Sequence, residues 1–475
     1  MLAPNLPPEP QAGNLTEHVV TPLPTSDCSG NAEDTSLASG STEFKAPGLD
    51  SVAMVKGRRG WSYLPGIRLE HNLHWAAGLL ELANSGDFAA NIWNDVPVPV
   101  YAIVFMAIGG TVAALISIFA LRDGGKAWKN VKFLRHQRHL LRTQRAQQLE
   151  ECQSTEKLDV LIDITTRELY TEAINRWGMD MLMGGGAVLI SIGTFMAIGG
   201  ANRRVWLASN ILSGYLGNAP IALFGLVNFC WAIYMWTKKQ SHYSAATKKL
   251  QDTPALSVVK EYCFNMRLFF AINGTSTLIG GVGSMLTPTF WWAYVVLIPV
   301  IISSYFCNFW WRRRVGYDRP VLNFPIGMNS RGLVQALEFA EETRRVMKKD
   351  PEAATMQLVT DPTSLLMVLN RFVEHGLFES FATRLINNKD IRQVLCGEQG
   401  TRAEIEVSQL LALPESYRHI VLSIAGTFLQ NEGPKHFEHR TRFLAEILGT
   451  YLAMVEDDSS RHQEEKVGGK EGESL

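Results

Sequence analysis

MDMLMGGGAVLISIGTFMAIGGANRRVWLASNILSGYLGNAPIALFGLVNFCWAIYMW, residues 179–236, holds two charge-free apolar runs separated by a short segment carrying Arg203 and Arg204. Each run, residues 181–201 and residues 216–236, supplies about 20 residues, enough to cross ~30 Å of hydrocarbon as a helix. Neither shows the polar stripe at period 3.6 that a half-buried soluble helix carries, so the pair reads as a transmembrane hairpin.

Three further runs of this kind flank it, at residues 98–121, 268–286 and 291–311. Pro97 and Pro99 stand at the start of the first, where a missing N–H costs least. The last two are joined by Thr287-Pro288-Thr289-Phe290, a length that permits only a tight turn. The expected fold is therefore all-α, a polytopic membrane protein of about five transmembrane helices with a helical cytoplasmic C-terminal domain. Mean hydropathy near zero and 19% charged residues look almost soluble only because spans and polar flanks are averaged together.

Local charge sets the expected orientation. Residues 122–178 open with Arg122, Lys126, Lys129, Lys132, Arg135, Arg138, Arg142 and Arg145 against one acid, Asp123. Steps of mostly three residues wind this charge around a helix leaving the membrane. Its first turns, Arg122 to Lys132, suit anionic lipid headgroups at ~1 kcal/mol per nearby charge; a solvated helix obeying only the topology rule fits equally well. The segment after residue 236 is basic too, and Arg312, Arg313 and Arg314 stop the last span, so the positive-inside rule puts the N-terminus outside and the C-terminus in the cytoplasm of a plasma membrane or endomembrane. Trp93, Trp128, Trp177, Trp206, Trp236, Trp291 and Trp311 fall near span ends, as an interfacial belt requires.

The flanks read differently. Residues 1–60, rich in Pro, Ser, Thr, Gly and acids, lack the apolar periodicity needed to offset ordering entropy and are expected to be disordered. Asn14-Leu15-Thr16 is an N-glycosylation sequon there, relevant if this end enters the secretory lumen. Residues 61–97 contain a candidate interfacial helix, too short and polar to span with Glu81 inside it. Residues 325–456 carry amphipathic helices, expected at 330–349, from 363, and at 377–386, 403–413, 417–430 and 436–455; residues 457–475 read as a disordered tail. The six cysteines form no CxxC pair and suit buried thiols better than a disulfide or zinc framework. No signal or transit peptide is evident. A net charge of -1 gives no reason to expect nucleic-acid binding.

Intramembrane chemistry needs ionisable groups, and the five runs hold almost none. Asp180 stands at the start of the second, in the position of an interfacial N-terminal acid. Asn228, Asn273, Thr275, Ser276 and Thr277 are the notable polar groups; they suit interhelical hydrogen bonds or a polar path. Small residues recur at four-residue spacing (Gly109, Ala113, Ser117; Gly193, Ala197, Ala201; Ser276, Gly280, Ser284), which suits close packing within the bundle and, as an alternative, homo-oligomerisation. Three His-x-x-His pairs, at 71/74, 136/139 and 436/439, lack a completing ligand set, so neither a metal nor another cofactor is expected. No P-loop, dinucleotide fingerprint, nucleophile elbow or HExxH occurs.

The glycine-rich stretches Met183 to Gly186 and Met196 to Asn202, followed by Leu212 to Pro220, resemble uncharacterised integral membrane proteins of filamentous fungi. The resemblance covers the membrane region and implies a class without a reaction. Three functions are open on this reading. One is a scaffold that recruits a cytoplasmic protein partner through the C-terminal helices while contacting membrane lipids. The second is an oligomeric channel or transporter for a neutral or apolar solute. The third, a membrane enzyme, requires groups such as Asp180 and Glu172 to converge.

Overall fold

In the computed structural model the described residues are 51–57, 60–63, 77–93, 97–200, 202–319, 329–359, 361–396 and 402–471. They open with strands β1 (Ser51–Gly57) and β2 (Gly60–Tyr63), then α1 (Ala77–Asn84), a 3-10 turn and α2 (Phe88–Ile92). Five helices follow that are long and apolar enough to cross a membrane: α3 (Val100–Glu150), α4 (Glu156–Ala197), α5 (Arg203–Lys249), α6 (Pro254–Leu286) and α7 (Trp292–Val315). The remainder is α8 (Ser330–Lys349), α9 (Pro351–Leu358), α10 (Leu365–Glu374), α11 (Phe378–Asn387), α12 (Lys389–Cys396), β3 (Arg402–Glu406), α13 (Val407–Leu411) and α14 (Glu415–Glu471). The all-α expectation holds, with one small sheet added.

Large apolar side chains point outward along one band of the bundle. Val104, Phe105 and Ile118 on α3, Ile192 on α4, Leu223 on α5, Val282 on α6 and Ile302 on α7 are each about half exposed or more. On α3 the continuous band ends at Leu121, and beyond it the exposed positions are mostly polar or charged. Such an inside-out surface is what lipid, rather than water, stabilises.

The helices do not stop at the band. α3 is 51 residues long, about 76 Å at 1.5 Å per residue, so more than half of it stands clear of the apolar layer. The first half of α4 returns beside it, and the ends of α5 and α6 project on the same side. α8 to α14 pack onto these extensions. Val160 and Ile164 of α4, Ala245 of α5 and Val259 of α6 share one hydrophobic cluster with Phe372, Phe428, Phe437 and Leu444. The expected C-terminal domain, residues 325–456, thus has no core of its own among the described residues; it is a polar-side layer built onto the helix extensions. Within it the helix expected at 403–413 is β3 followed by α13, and the helices expected at 417–430 and 436–455 are one, α14, which passes through Pro434 and continues to Glu471 where composition reads as a tail.

The N-terminal side departs most from expectation. β1, inside the stretch read as disordered, alternates Val52 and Met54 inward and pairs antiparallel with β3, Val52 opposite Ile405. β2 completes the order β2-β1-β3. Residues 77–92, expected as an interfacial helix, are packed among the long helices. They run antiparallel to α3 through the bundle: Leu80 packs with Ala120, Ala83 with Ala113, and Ala89 and Ala90 with Ala102 and Met106. Midway, a Cβ on Gly109 would stand 2.2 Å from the Gly86 carbonyl oxygen, so only glycine permits this approach. From Ala120 to Ala102 is about 27 Å of helix, most of a bilayer's hydrocarbon. This broken segment is a sixth stretch running alongside the five long helices. Five crossings alone would leave β1 and β3 on opposite sides, yet the two strands pair in one sheet. Residues 1–50, including the Asn14 sequon, and the His71/His74 pair lie outside the described residues.

Candidate functional site

Close packing on one side of the bundle leaves room on the other. α5 and α6 are drawn together by glycines: a Cβ on Gly225 would stand 2.4 Å from the Thr277 carbonyl oxygen, and one on Gly274 would stand 2.5 Å from the Ala232 Cβ. α3 and α4 are joined similarly, with the Ser191 hydroxyl donating to the Gly110 carbonyl at 2.7 Å. α7 rests on α6 and α1. A chamber of about 690 Å³ remains between α4, α6 and α7, with walls contributed also by α1, α3, α5 and α14. Its lining residues belong to the half of the bundle facing the polar-side layer.

The wall is graded along its depth. Deep in the bundle it offers neutral polar groups, Asn273 and Thr277 of α6 and Ser304 and Asn308 of α7, with Glu81 of α1 as the ionisable group there. Along α6 toward the polar layer the wall turns apolar with Met266, Phe269 and Phe270, while Met183 and Phe224, clustered with Leu80, add apolar surface at the depth of Glu81. At the level of the polar layer the wall is charged, with Asp123, Arg167, Glu172 and Arg176 among its members. A ligand fully inside would therefore meet hydroxyls and amides at its inner end and apolar surface along its body, the composition usual for small-molecule sites.

Two buried ionic networks frame the charged rim. In the first, Glu446 of α14 accepts hydrogen bonds from Lys239 of α5 and Arg167 of α4, while Arg167 also donates to Thr450 Oγ1 at 2.7 Å and to Asp163 at 2.9 Å. All three principal members are buried. Burial by itself would raise the Glu446 carboxyl, but the Lys239 and Arg167 cations outweigh it and hold the group below the usual carboxylate range. In the second, Arg176 donates to Glu172 at 2.8 Å and to Asp123 at 3.3 Å, and Asn130 donates to Glu172 at 2.8 Å. Arg176 lies in a π-helical turn, Ala173–Gly178, a local irregularity that often accompanies function. Asp180, one turn further on, is buried with both carboxylate oxygens lacking a hydrogen-bond partner.

The segment following α7 closes the top. Tyr317 donates to Glu168 at 2.8 Å, Arg319 donates to Glu168 at 2.6 Å and Thr165 at 2.8 Å, and Arg442 of α14 donates to the Gly316 carbonyl at 2.7 Å. At the opposite end of the bundle Tyr294 donates to Asp87 at 2.9 Å, and Asn91 donates to Asp87 at 2.9 Å and to Tyr294 at 2.8 Å.

The polar residues singled out in sequence are divided by this geometry. Asn273 and Thr277 line the chamber, and Asn228 stands behind Thr277, donating to its hydroxyl at 2.8 Å. Thr275 is exposed and bonds back to the Ala271 carbonyl at 2.6 Å, and Ser276 is buried outside the chamber wall. The basic residues proposed for headgroups, Arg122, Lys126, Lys129 and Lys132, are all exposed, and Lys126 also reaches the chamber rim 3.8 Å from Asp123. Lys132 and Arg135 sit over the Trp128 ring. His436 contacts the His375 carbonyl at 3.0 Å and His439 accepts from the Asp318 N–H at 3.1 Å, so that pair serves two separate partners. The small-residue rows are used inside the chain: Gly109 meets Gly86, Gly193 meets Ser213 and Gly280 meets Val300.

Sequence reasoning missed Arg167, Lys239 and Glu446. A signal was present for one of them, since Glu446 is the lone acid in the apolar run FLAEILGTYLAMV at residues 443–455. The two cations look like ordinary charges of a basic flank and become distinctive only once α14 covers them. Comparison with protein-family models, curated proteins and solved structures finds no match for the chain.

Proposed function

We propose that this chain is a multi-pass membrane protein that binds a small amphipathic solute, neutral or largely apolar, in the chamber and moves it across the bilayer. The observation that carries the reading is the graded wall, with neutral polar groups inside, an apolar stretch, and a charged rim on the polar-layer side. Basic residues flanking the spans favour a cytoplasmic polar layer, and on this reading β1 and α14, which lie on that layer's side, are both cytoplasmic. Neither oligomerisation nor a cofactor is needed for such a chamber. The scaffold alternative draws less support, because the helices that would recruit a partner are built into the roof. An enzymatic role has Glu172, Arg176 and Asp123 together, but these groups are engaged with one another.

Cys307, buried in the chamber wall, provides the test. In a protein whose other cysteines are replaced, a small water-soluble methanethiosulfonate added on the polar-layer side should label Cys307, and Ser304→Trp should suppress labelling. Liposome uptake of aromatic alcohols and amides should fall about tenfold in Asn273→Leu, the range expected when a hydrogen-bonding partner is lost from a buried site. Cys307 that stays unlabelled until the protein is denatured would sink the reading.

A further inference from the structure

The second ionic network contains more acid than its two cations, Arg176 and Lys126, can serve. Arg176 is divided between Glu172 and Asp123, and Lys126 stands 3.8 Å from Asp123. Asp180 is a third carboxylate acted on by the same groups, and it is fully buried with both oxygens unpartnered. Its location is fixed by α3: a Cβ on Gly124 would be 3.1 Å from the Asp180 Cβ and 3.9 Å from its Oδ2, so the side chain is pressed onto α3 beside Asp123. α1 contributes Glu81 to the chamber wall, and α5 brings no charge over residues 216–236. Among the described residues the cations at this network are Arg176 and Lys126, and both are already directed at Glu172 or Asp123 rather than at Asp180.

A buried carboxylate without donors is strongly destabilising as an anion, and a neutral carboxylic acid avoids that cost. We propose that Asp180 is a proton-binding site coupled to the chamber, binding one proton from water at a carboxylate oxygen in one state of the wall and returning it in another. The proposal rests on the chamber reading. The coupling is short-range. Asn175 and Arg176 precede Asp180 in the π turn, Met179 and Met183 flank it, and all four line the chamber. Losing the proton leaves three carboxylates around Arg176. The new anion is satisfied by drawing Arg176 or Lys126 from its present partner or by admitting chamber water, and each rearranges the wall.

The test uses the full chain in liposomes. Infrared difference spectra between acidic and alkaline buffer detect protonated carboxylic acids by their C=O stretch. The expected result is such a band in the wild-type protein at neutral pH, part of which is lost in Asp180→Asn. An unchanged band in that variant overturns the proposal. So does absence of the band from the wild type, a result that depends on no variant folding. The coupling is read from Cys307 labelling, corrected for the rate of a free thiol at each pH. Between about pH 5 and 9 the corrected rate should change at least threefold in the parent and stay flat in Asp180→Asn, as proton linkage requires. A flat parent rate overturns the coupling. Labelling at any pH tests the chamber and its pH dependence tests Asp180, so the two readings fail separately.

Discussion

Glu446 illustrates how much one side chain can hold together, since its carboxylate is shared by Lys239 from α5 and Arg167 from α4. Removing it leaves two buried cations facing each other. Glu446→Gln should therefore lower stability by about 3–5 kcal/mol, read from the denaturant midpoint in mild detergent. Replacing Glu446 and Lys239 together by Leu and Met should recover most of that loss, because Arg167 keeps Asp163. The exposed pair Arg371 and Glu374 provides the contrast, and Arg371→Ala should cost no more than about 1 kcal/mol. The sign of the pH effect follows from the cations. Glu446 ionises more readily in the folded chain than in the unfolded one, so its contribution is complete above the unfolded carboxylate value of about 4.3 and fades as pH falls through the lower folded value. Neutralising Glu446 by Gln should remove that acid-side loss along with the stability.

Among the elements, the broken segment α1–α2 is held by approaches that tolerate no added atom. Gly109→Ala places a methyl group against the Gly86 backbone and should destabilise the protein by about 1–3 kcal/mol, with the midpoint falling accordingly. Gly125→Ala, where nothing lies within 4 Å, should leave the midpoint unchanged or slightly raised. The five long helices were readable from sequence because each contains a charge-free stretch of membrane length, a signal that packing does not alter. The sixth segment was not, since Glu81, Asn84, Ser85 and Asp87 fall within residues 77–92 and its helix breaks at a 3-10 turn. Those polar groups are tolerated where other helices cover them, and Asp87 is satisfied by Tyr294 and Asn91. β1 had a faint signal in the alternation of Val52, Met54 and Lys56, but the Pro- and Ser-rich context outweighed it.

For the whole molecule, side of membrane is the decisive property. Val52→Cys with Ile405→Cys, at directly paired positions, should form a crosslink under mild oxidation, and epitopes placed before β1 and after α14 should be accessible from one side of sealed vesicles. Accessibility from opposite sides would remove α1–α2 as a crossing. The chamber was the least legible feature. Asn273 and Thr277 were recognisable as polar groups in a span, yet which face they present depends on how closely glycines such as Gly225 and Gly274 bring α5 to α6. A cavity is the remainder of packing and has no sequence pattern of its own.

The sheet also imposes an order of events on biosynthesis. β1 leaves the ribosome some 350 residues before β3, its main partner, exists. At roughly 5–20 residues per second that is an interval of about 20–70 s in which a strand with only β2 beside it keeps one edge unpaired. On the membrane reading the spans insert during this wait, which makes the sheet a closing step on an already embedded bundle. A nascent chain terminated before residue 402 would keep that edge open permanently, and quality-control proteases and chaperones would meet it as an unfinished protein even with every membrane helix in place.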